Sequence, residues 1–461
     1  MQLKRLIQLL SVVSIVASFI GCGSNRASNG NGNKGLWTWV SGANSINEAG
    51  NYGTIGVSAA SNVPGARGSA VSWSDSNGNL WLFGGHYFDS TSHNIFFNDL
   101  WKFDGSNWTW VKGSSSGNQV GNYGTKGIPA LTNDPGARYG AISWIDSSNQ
   151  LWLFGGVDSS GVHLLNDLWK FDGSNWVWVS GPSTVDQSGI YGTKGTPAVP
   201  NMPGGRAWSA SWADGNGQLW LFGGFGKDST SQQGVINDLW KFDGNNWTWV
   251  SGSSTISQAG TYGAINTPAA SNTPGARSSA ASWVDRNGNL CLFSGSGFDS
   301  TGSSGFLNDL WKFDGSNWIW VNGSVSVNQP AIYGIKGISA TTNTPGARSV
   351  SRSWVDKNNN LWLLGGVLGR VYTGNGGLAT DTLSDLWKFD GSNWIWVSGP
   401  NTANDAGSFG TKGIPEGTNL PRARSGAVSW TDRIGRLWLM GGSYHQSAGF
   451  VYLNDLWCYE P

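Results

Sequence analysis

Cysteine, methionine, histidine and charge are all scarce in this chain of 461 residues, which has 3 Cys, 3 Met, 4 His and only 12% charged residues. Three Cys provide neither zinc-ligand spacing nor a redox pair. The basic and acidic residues balance at 28 each. A nucleic-acid binder needs a basic field for phosphates, and an acidic solvating tail needs the reverse; neither is present. No nucleic-acid partner and no cofactor are expected. Helical periodicity is absent from Leu36 onward. The one long apolar run, Leu6 to Ile20, is too short to span a bilayer comfortably.

That run follows Lys4 and Arg5 and reads as the core of a signal peptide, residues 1–21. It ends in Phe19-Ile20-Gly21-Cys22, which resembles the lipobox of bacterial lipoproteins. The resemblance implies a lipid on Cys22 and a membrane anchor. Gly23, where Asp would otherwise signal retention, implies the outer membrane or cell surface of a Gram-negative host; a periplasmic or secreted protein is the alternative. Residues 22–35 are rich in Ser, Asn and Gly and read as a flexible tether.

What is plentiful is Gly, at 70 residues, and Trp, at 30. From Leu36 to Pro461 one pattern returns six times. Its first copy runs Arg67 to Trp73, Leu80 to Gly85, Asn98 to Asp104 and Trp108 to Val111. These runs are rich in β-branched and aromatic residues. Asn77-Gly78 and Asp104-Gly105 between them suit tight turns. Four antiparallel strands per unit, repeated radially, make a propeller blade. The expected fold is all-β, a six-bladed propeller over residues 36–461. The last copy stops at Asn454 to Pro461 without a fourth strand, whereas Trp37 to Val40 is a fourth strand without the preceding three. The two ends should share one blade and close the ring.

The repeat resembles that of the kelch family: Arg67 opens the innermost strand, Gly84-Gly85 ends the second, Phe103 lies in the third and Trp110 in the fourth. The resemblance covers residues 36–461 and implies a propeller like the central domain of galactose oxidase. Phe stands for the usual Tyr until Tyr459, and Ser294 breaks one double Gly. Each unit is also longer than a kelch repeat of about 50 residues. The extra length is a connection of constant length, such as 43–66, 114–137 and 400–423, with a shared Tyr-Gly (Tyr52, Tyr123, Tyr191, Tyr262, Tyr333; Phe409 in the last). Constant length argues for ordered elements, expected to cap one face.

Repetition also sorts structural residues from candidates for function. Five Trp slots per unit account for every Trp except Trp208, with Cys291 filling one slot. The repeated Trp are expected in the core. Cys291 and Cys458 fall two blades apart, so no disulfide is expected. The six repeat arginines, Arg67, Arg138, Arg206, Arg277, Arg348 and Arg424, read as structural ion pairs, with a cationic ring for an anionic ligand as the sharper alternative.

The resemblance raises a copper oxidase, whose site needs two His, a Tyr and a Tyr cross-linked to Cys. His86, His93, His163 and His445 all lie in variable stretches, but the Cys fall elsewhere, so no catalytic residue and no metal site is assigned. The expected function is a non-catalytic binding propeller on the cell envelope, a monomer with a protein or glycan ligand. The alternative is a carbohydrate-active enzyme of the galactose-oxidase or sugar-mutarotase type. Binding is expected on the long-loop face, centred on blades five, six and one, where the repeat is broken: Arg352, Arg370, Tyr372, Arg422, Tyr444, His445, His86 and Tyr87. An anionic ligand or polar glycan would stack on Tyr and be held by Arg.

Overall fold

Alternating strands and tight turns produce four-stranded sheets, and the described residues contain no helix. The computed structural model describes residues 34–89, 93–372, 378–447 and 449–461; for 370–372 and 378–380 it describes the backbone alone. The signal peptide, Cys22 and nearly all of the tether lie outside the described residues.

In the first blade, Val71–Ser74, Leu80–Phe83, Leu100–Phe103 and Trp108–Lys112 pair in that order from the axis outwards. Five further sheets repeat it, making a six-bladed β-propeller. The last consists of Val428–Thr431, Leu437–Met440 and Leu456–Tyr459, completed by Trp37–Ser41 from the other end of the chain. Trp37 pairs with Tyr459 and Trp39 with Trp457. Gly78 and Gly105 take left-handed turns, at φ 83° and 96°, on the short-hairpin face.

Tryptophan fills the seams between blades. Trp101, Trp169, Trp240, Trp311, Trp387 and Trp457 are each 0% exposed. Trp73, Trp144, Trp212, Trp354 and Trp430 donate Nε1 to a backbone carbonyl of the next blade's second strand, at 2.9–3.2 Å. The double glycine serves the same seam. Gly84 has φ 68°, and a Cβ there would lie 2.7 Å from the Arg138 carbonyl oxygen of the neighbouring blade. Ser294 occupies that slot in blade four at φ 65°, with its hydroxyl buried and unpaired.

The connections of constant length are ordered: each begins against the hairpin extensions of the long-loop face, as where Asn47 donates its N–H to the Tyr452 carbonyl, and part of it covers a blade's outer edge. Each runs down the outer edge of its own blade before entering at the axis. In the first, Gly56 donates its N–H to the Trp110 carbonyl, and Asn62 donates to the carbonyls of Val57 and Trp108. The outermost strand would otherwise present an unpaired edge, which invites pairing with other chains. Covering it is part of what fixes the constant length.

The variable stretches after the double glycine also form β-structure. In blades three and five they simply lengthen the middle hairpin, giving Leu219–Lys227 with Gln233–Phe242 and Leu361–Tyr372 with Leu378–Phe389. In blades one and six they form separate ribbons, His86–Phe88 with Asn94–Phe96 and Ser443–Gln446 with Gly449–Tyr452. These extensions stand on the long-loop face around the axis.

Candidate functional site

The repeat arginines come first because they bound what the site can be. Arg67 Nη1 and Nη2 donate to Asp99 Oδ1 and Oδ2 at 2.6 and 2.8 Å, with both side chains at most 2% exposed. The same bidentate pair recurs as Arg138–Asp167, Arg206–Asp238, Arg277–Asp309, Arg348–Asp385 and Arg424–Asp455. Each Asp also accepts a Trp Nε1 from two residues on, as from Trp101 at 2.7 Å. In five blades it accepts the Tyr hydroxyl of the outer connection, as from Tyr52 at 2.7 Å. Burial works against the Arg67 charge, but Asp99 outweighs it and raises the guanidinium pKa. These six guanidiniums are spent on the fold, so the cationic-ring alternative fails: none faces the axis free to meet a ligand.

The axis itself carries three adjoining cavities. The outermost is a funnel of about 530 Å³ on the long-loop face. His86, Phe88, Tyr139, Trp208, Phe450 and Tyr452 are among its lining residues, and all six blades contribute. Below it lies a throat of about 80 Å³ bordered by Ser69, Trp208, Ser279, Val350 and Arg352. Below that, a channel of about 270 Å³ is lined by small residues, serine and Arg352.

A closed ring of hydrogen bonds and an open arc build these walls. In the channel, Ser72, Ser143, Ser211, Ser282, Ser353 and Ser429 each donate a hydroxyl to the backbone carbonyl of the same serine slot in the preceding blade, at 3.1–3.4 Å. The chain of bonds closes on itself. In the throat, the residue two places after each repeat Arg is left-handed: Ser69, Gly140, Trp208, Ser279, Val350 and Gly426, with φ between 54° and 64°. Backbone N–H groups at this level donate from blade to blade, as from Trp208 to Gly140 and from Val350 to Ser279. A left-handed conformation costs a residue with a Cβ about 1–2 kcal/mol. Blades two and six use Gly there. Trp208 and Val350 do not, and such strain concentrates at working sites.

His86 and Arg352 are the basic side chains, among the described residues, that face this axial space. His86 Nε2 lies 3.1 Å from the Tyr452 hydroxyl, and its ring packs on Tyr139 with centroids 4.3 Å apart. Burial pushes the imidazole down to about 4, so it is neutral at physiological pH. Arg352 fills the slot that holds Val71, Ile142, Ala210, Ala281 and Val428 in the other blades. It makes no hydrogen bond or ion pair among the described residues, and its Nε is buried without a partner. Burial lowers its pKa to about 10, which leaves it charged at neutral pH. Among the described residues, no Asp, Glu or Lys lines any of the three cavities.

Of the residues the sequence singled out, His86 and Arg352 reach this axial site. Tyr87, Arg422, Tyr444 and His445 line none of the three cavities. Tyr87 stacks on Phe97, rings 9° from parallel, which itself lies under Arg67. Arg422 donates to the Tyr444 hydroxyl and to the Ala406 carbonyl, so that pair satisfies itself away from the axis. His445 packs edge-on against Phe450, behind the funnel wall. Arg370 and Tyr372 pair through their backbones with Thr380 and Leu378, and their side chains lie outside the described residues. Among the described side chains of the expected set, only His86 and Arg352 line the axial cavities.

Sequence reasoning missed Tyr139, Tyr452, Phe88 and Phe450. Tyr139 and Trp208 had a signal: they occupy the two slots directly after the repeat Arg, which open onto the axis.

The residues do not fit the copper site that the kelch resemblance raised. Cys291 and Cys458 are buried in strands, and neither lines a cavity with His86. His163 pairs with Asp186 at 2.6 Å. Among the described residues no three His, Cys, Asp or Glu side chains converge as metal ligands.

The geometry defines a class: a six-bladed β-propeller with a kelch-like repeat and an aromatic funnel over its axis. No protein-family model matches the chain, and no curated protein matches it. Among solved structures it is similar to YjhT, with 15% identity, 86% of this chain and 95% of that one covered, and a TM-score of 0.49. A fungal alcohol oxidase of the AA5 family, in complex with copper, shows 11% identity over 88% and 77%, with a TM-score of 0.41. A protein of unknown function from Dyadobacter fermentans shows 10% identity over 93% and 99%, with a TM-score of 0.45. At these identities none of them transfers a ligand or an activity to this chain.

Proposed function

We propose that the protein is a non-catalytic binding propeller whose ligand sits in the axial funnel. The observation that carries this reading is the funnel itself, about 530 Å³ of concave surface walled by aromatic rings from separate blades. Pockets of this size with a few convergent polar groups are the usual form of small-ligand sites. Tyr139 and Trp208 offer ring faces for a sugar ring or an apolar side chain, while Tyr452, only 2% exposed, holds the neutral His86 through its hydroxyl so that His86 can orient the ligand. A glycan and peptide array probed with the purified protein should return hits that Trp208→Ala and Tyr452→Ala each weaken at least tenfold. Hits that survive both changes but are lost on Asn287→Ala, on the short-hairpin face, would place the site at the wrong end of the axis.

The envelope location is part of the same proposal. The closing strand Trp37–Ser41 starts on the short-hairpin face, where Gly35 donates its N–H to the Glu460 carbonyl. A lipid on Cys22 would attach the propeller from that side and leave the funnel facing away from the membrane. Mass spectrometry of the mature N-terminus should find an acylated Cys22; an unmodified terminus overturns the anchor.

A further inference from the structure

Arg352 is the cation on the axis for which the described residues supply no partner. It shares the 80 Å³ throat with the hydroxyls of Ser69 and Ser279, which engage no protein acceptor among the described residues. A half-buried cation without a counter-charge is unfavourable, and a slot that is apolar in five blades could have avoided it. Trp208 borders both the funnel and the throat, so a ligand lying in the funnel can extend one group past its indole.

We propose that Arg352 receives the carboxylate of a small organic acid, with Ser69 and Ser279 donating further hydrogen bonds and Trp208 forming the platform for the rest of the molecule. This rests on the funnel reading above and adds the charge class of the ligand. A planar guanidinium matches a carboxylate in two parallel hydrogen bonds, which a spherical halide cannot reproduce. Among the described residues no acidic group lines these cavities, which leaves that attraction unopposed and disfavours cationic ligands.

The test uses acetate, which is small enough to enter the throat without touching the funnel wall. The full protein is melted in sodium acetate, in sodium chloride at equal ionic strength, and in acetamide plus sodium chloride. The melting temperature should rise saturably in acetate alone, by about 1–3 °C at 100 times the dissociation constant. Arg352→Val should abolish the rise and should itself melt no lower than wild type in anion-poor buffer, because Val71 and Val428 fill this slot elsewhere. Arg352→Lys should keep part of the acetate response. An identical acetate response in wild type and Arg352→Val overturns the proposal. So does an equal rise with chloride, or a lower melting point of Arg352→Val, which would make Arg352 a packing residue. Because acetate reads the throat alone, failure here leaves the array result with Trp208→Ala and Tyr452→Ala to judge the funnel separately.

Discussion

Arg348 and Arg352 stand four residues apart in the innermost segment of blade five, and their surroundings differ completely. Arg348 is 0% exposed, bound by Asp385 through two hydrogen bonds of 2.8 and 2.9 Å, and donates two more to the carbonyls of Gly346 and Gly365. Arg352 has no protein partner among the described residues. The first follows a rule that five other blades obey, and the second breaks one. A residue repeated sixfold answers a demand that each blade makes of itself. A residue found once answers something the ring as a whole does, and here that is the axial space all blades share.

The comparison breaks most severely where the blade pattern itself is removed. Deleting Trp37 to Val40 strips the outer strand from blade six, exposes the edge of Leu456–Tyr459 and removes two packed indoles. Loss of soluble protein, or a melting temperature lower by more than about 10 °C in scanning calorimetry, is expected. Wild-type melting would mean that the termini do not share a blade.

Next in size is Asp385→Ala, which leaves Arg348 buried and unpaired. Removing one partner of a buried ion pair costs about 3–5 kcal/mol, measurable by urea denaturation. Arg352→Val removes a charge of the same kind four residues later without that loss. Equal destabilisation by the two changes would erase the distinction between the fold's arginines and the axis's arginine.

A third test concerns the funnel. Burial holds His86 at about 4, well below its ordinary 6.5. Between these values the unfolded chain binds a proton that the folded one does not, so stability falls as pH drops from about 6.5 to about 4. With the ring partly open to the funnel, the loss is about 2 kcal/mol. His86→Gln should flatten that limb of the stability–pH curve; an unchanged slope would mean that His86 does not titrate as placed.

The fold was legible in the sequence because every blade solves the same packing problem with the same letters. Arg67, Gly84-Gly85, Asp99 and Trp101 recur because an interior guanidinium, a close approach of backbones and a buried indole N–H each tolerate few substitutes. The site was less legible. Arg352 stood out because a charge replaced Val or Ala in a slot fixed by the repeat. Tyr452 and Phe450 sit in stretches with no common register, so sequence could not tell which of their neighbours would face the axis. Tyr444 and Arg422 misled for the same reason: departure from the repeat marks freedom as readily as function, and these two use it to satisfy each other. The outer connections were legible as ordered, but constant length reveals a constraint without showing that a blade's outer edge is part of what imposes it.

The smallest expected effect lies in the sixth copy of the blade pattern. Five blades give their buried Asp a tyrosine hydroxyl from the outer connection, at 2.6–2.9 Å. In the sixth, Phe409 takes the tyrosine's place, packing on Trp39 and Trp457 with centroids 5.2 and 5.0 Å apart. Tyr52 holds the same relation to Trp110 and Trp101, at 5.1 and 4.9 Å. The ring is thus already in position, and Phe409→Tyr should add only the hydroxyl, aimed at Asp455 Oδ2. A hydrogen bond to a charged acceptor contributes about 1.5–3 kcal/mol, but Asp455 already accepts from Arg424 Nη1 and Nη2 and from Trp457 Nε1. A gain of about 1 kcal/mol is expected in urea denaturation, with acetate binding at Arg352 unchanged. A loss of stability would show that blade six, where the two ends of the chain meet, holds its Asp in a geometry the other five do not share.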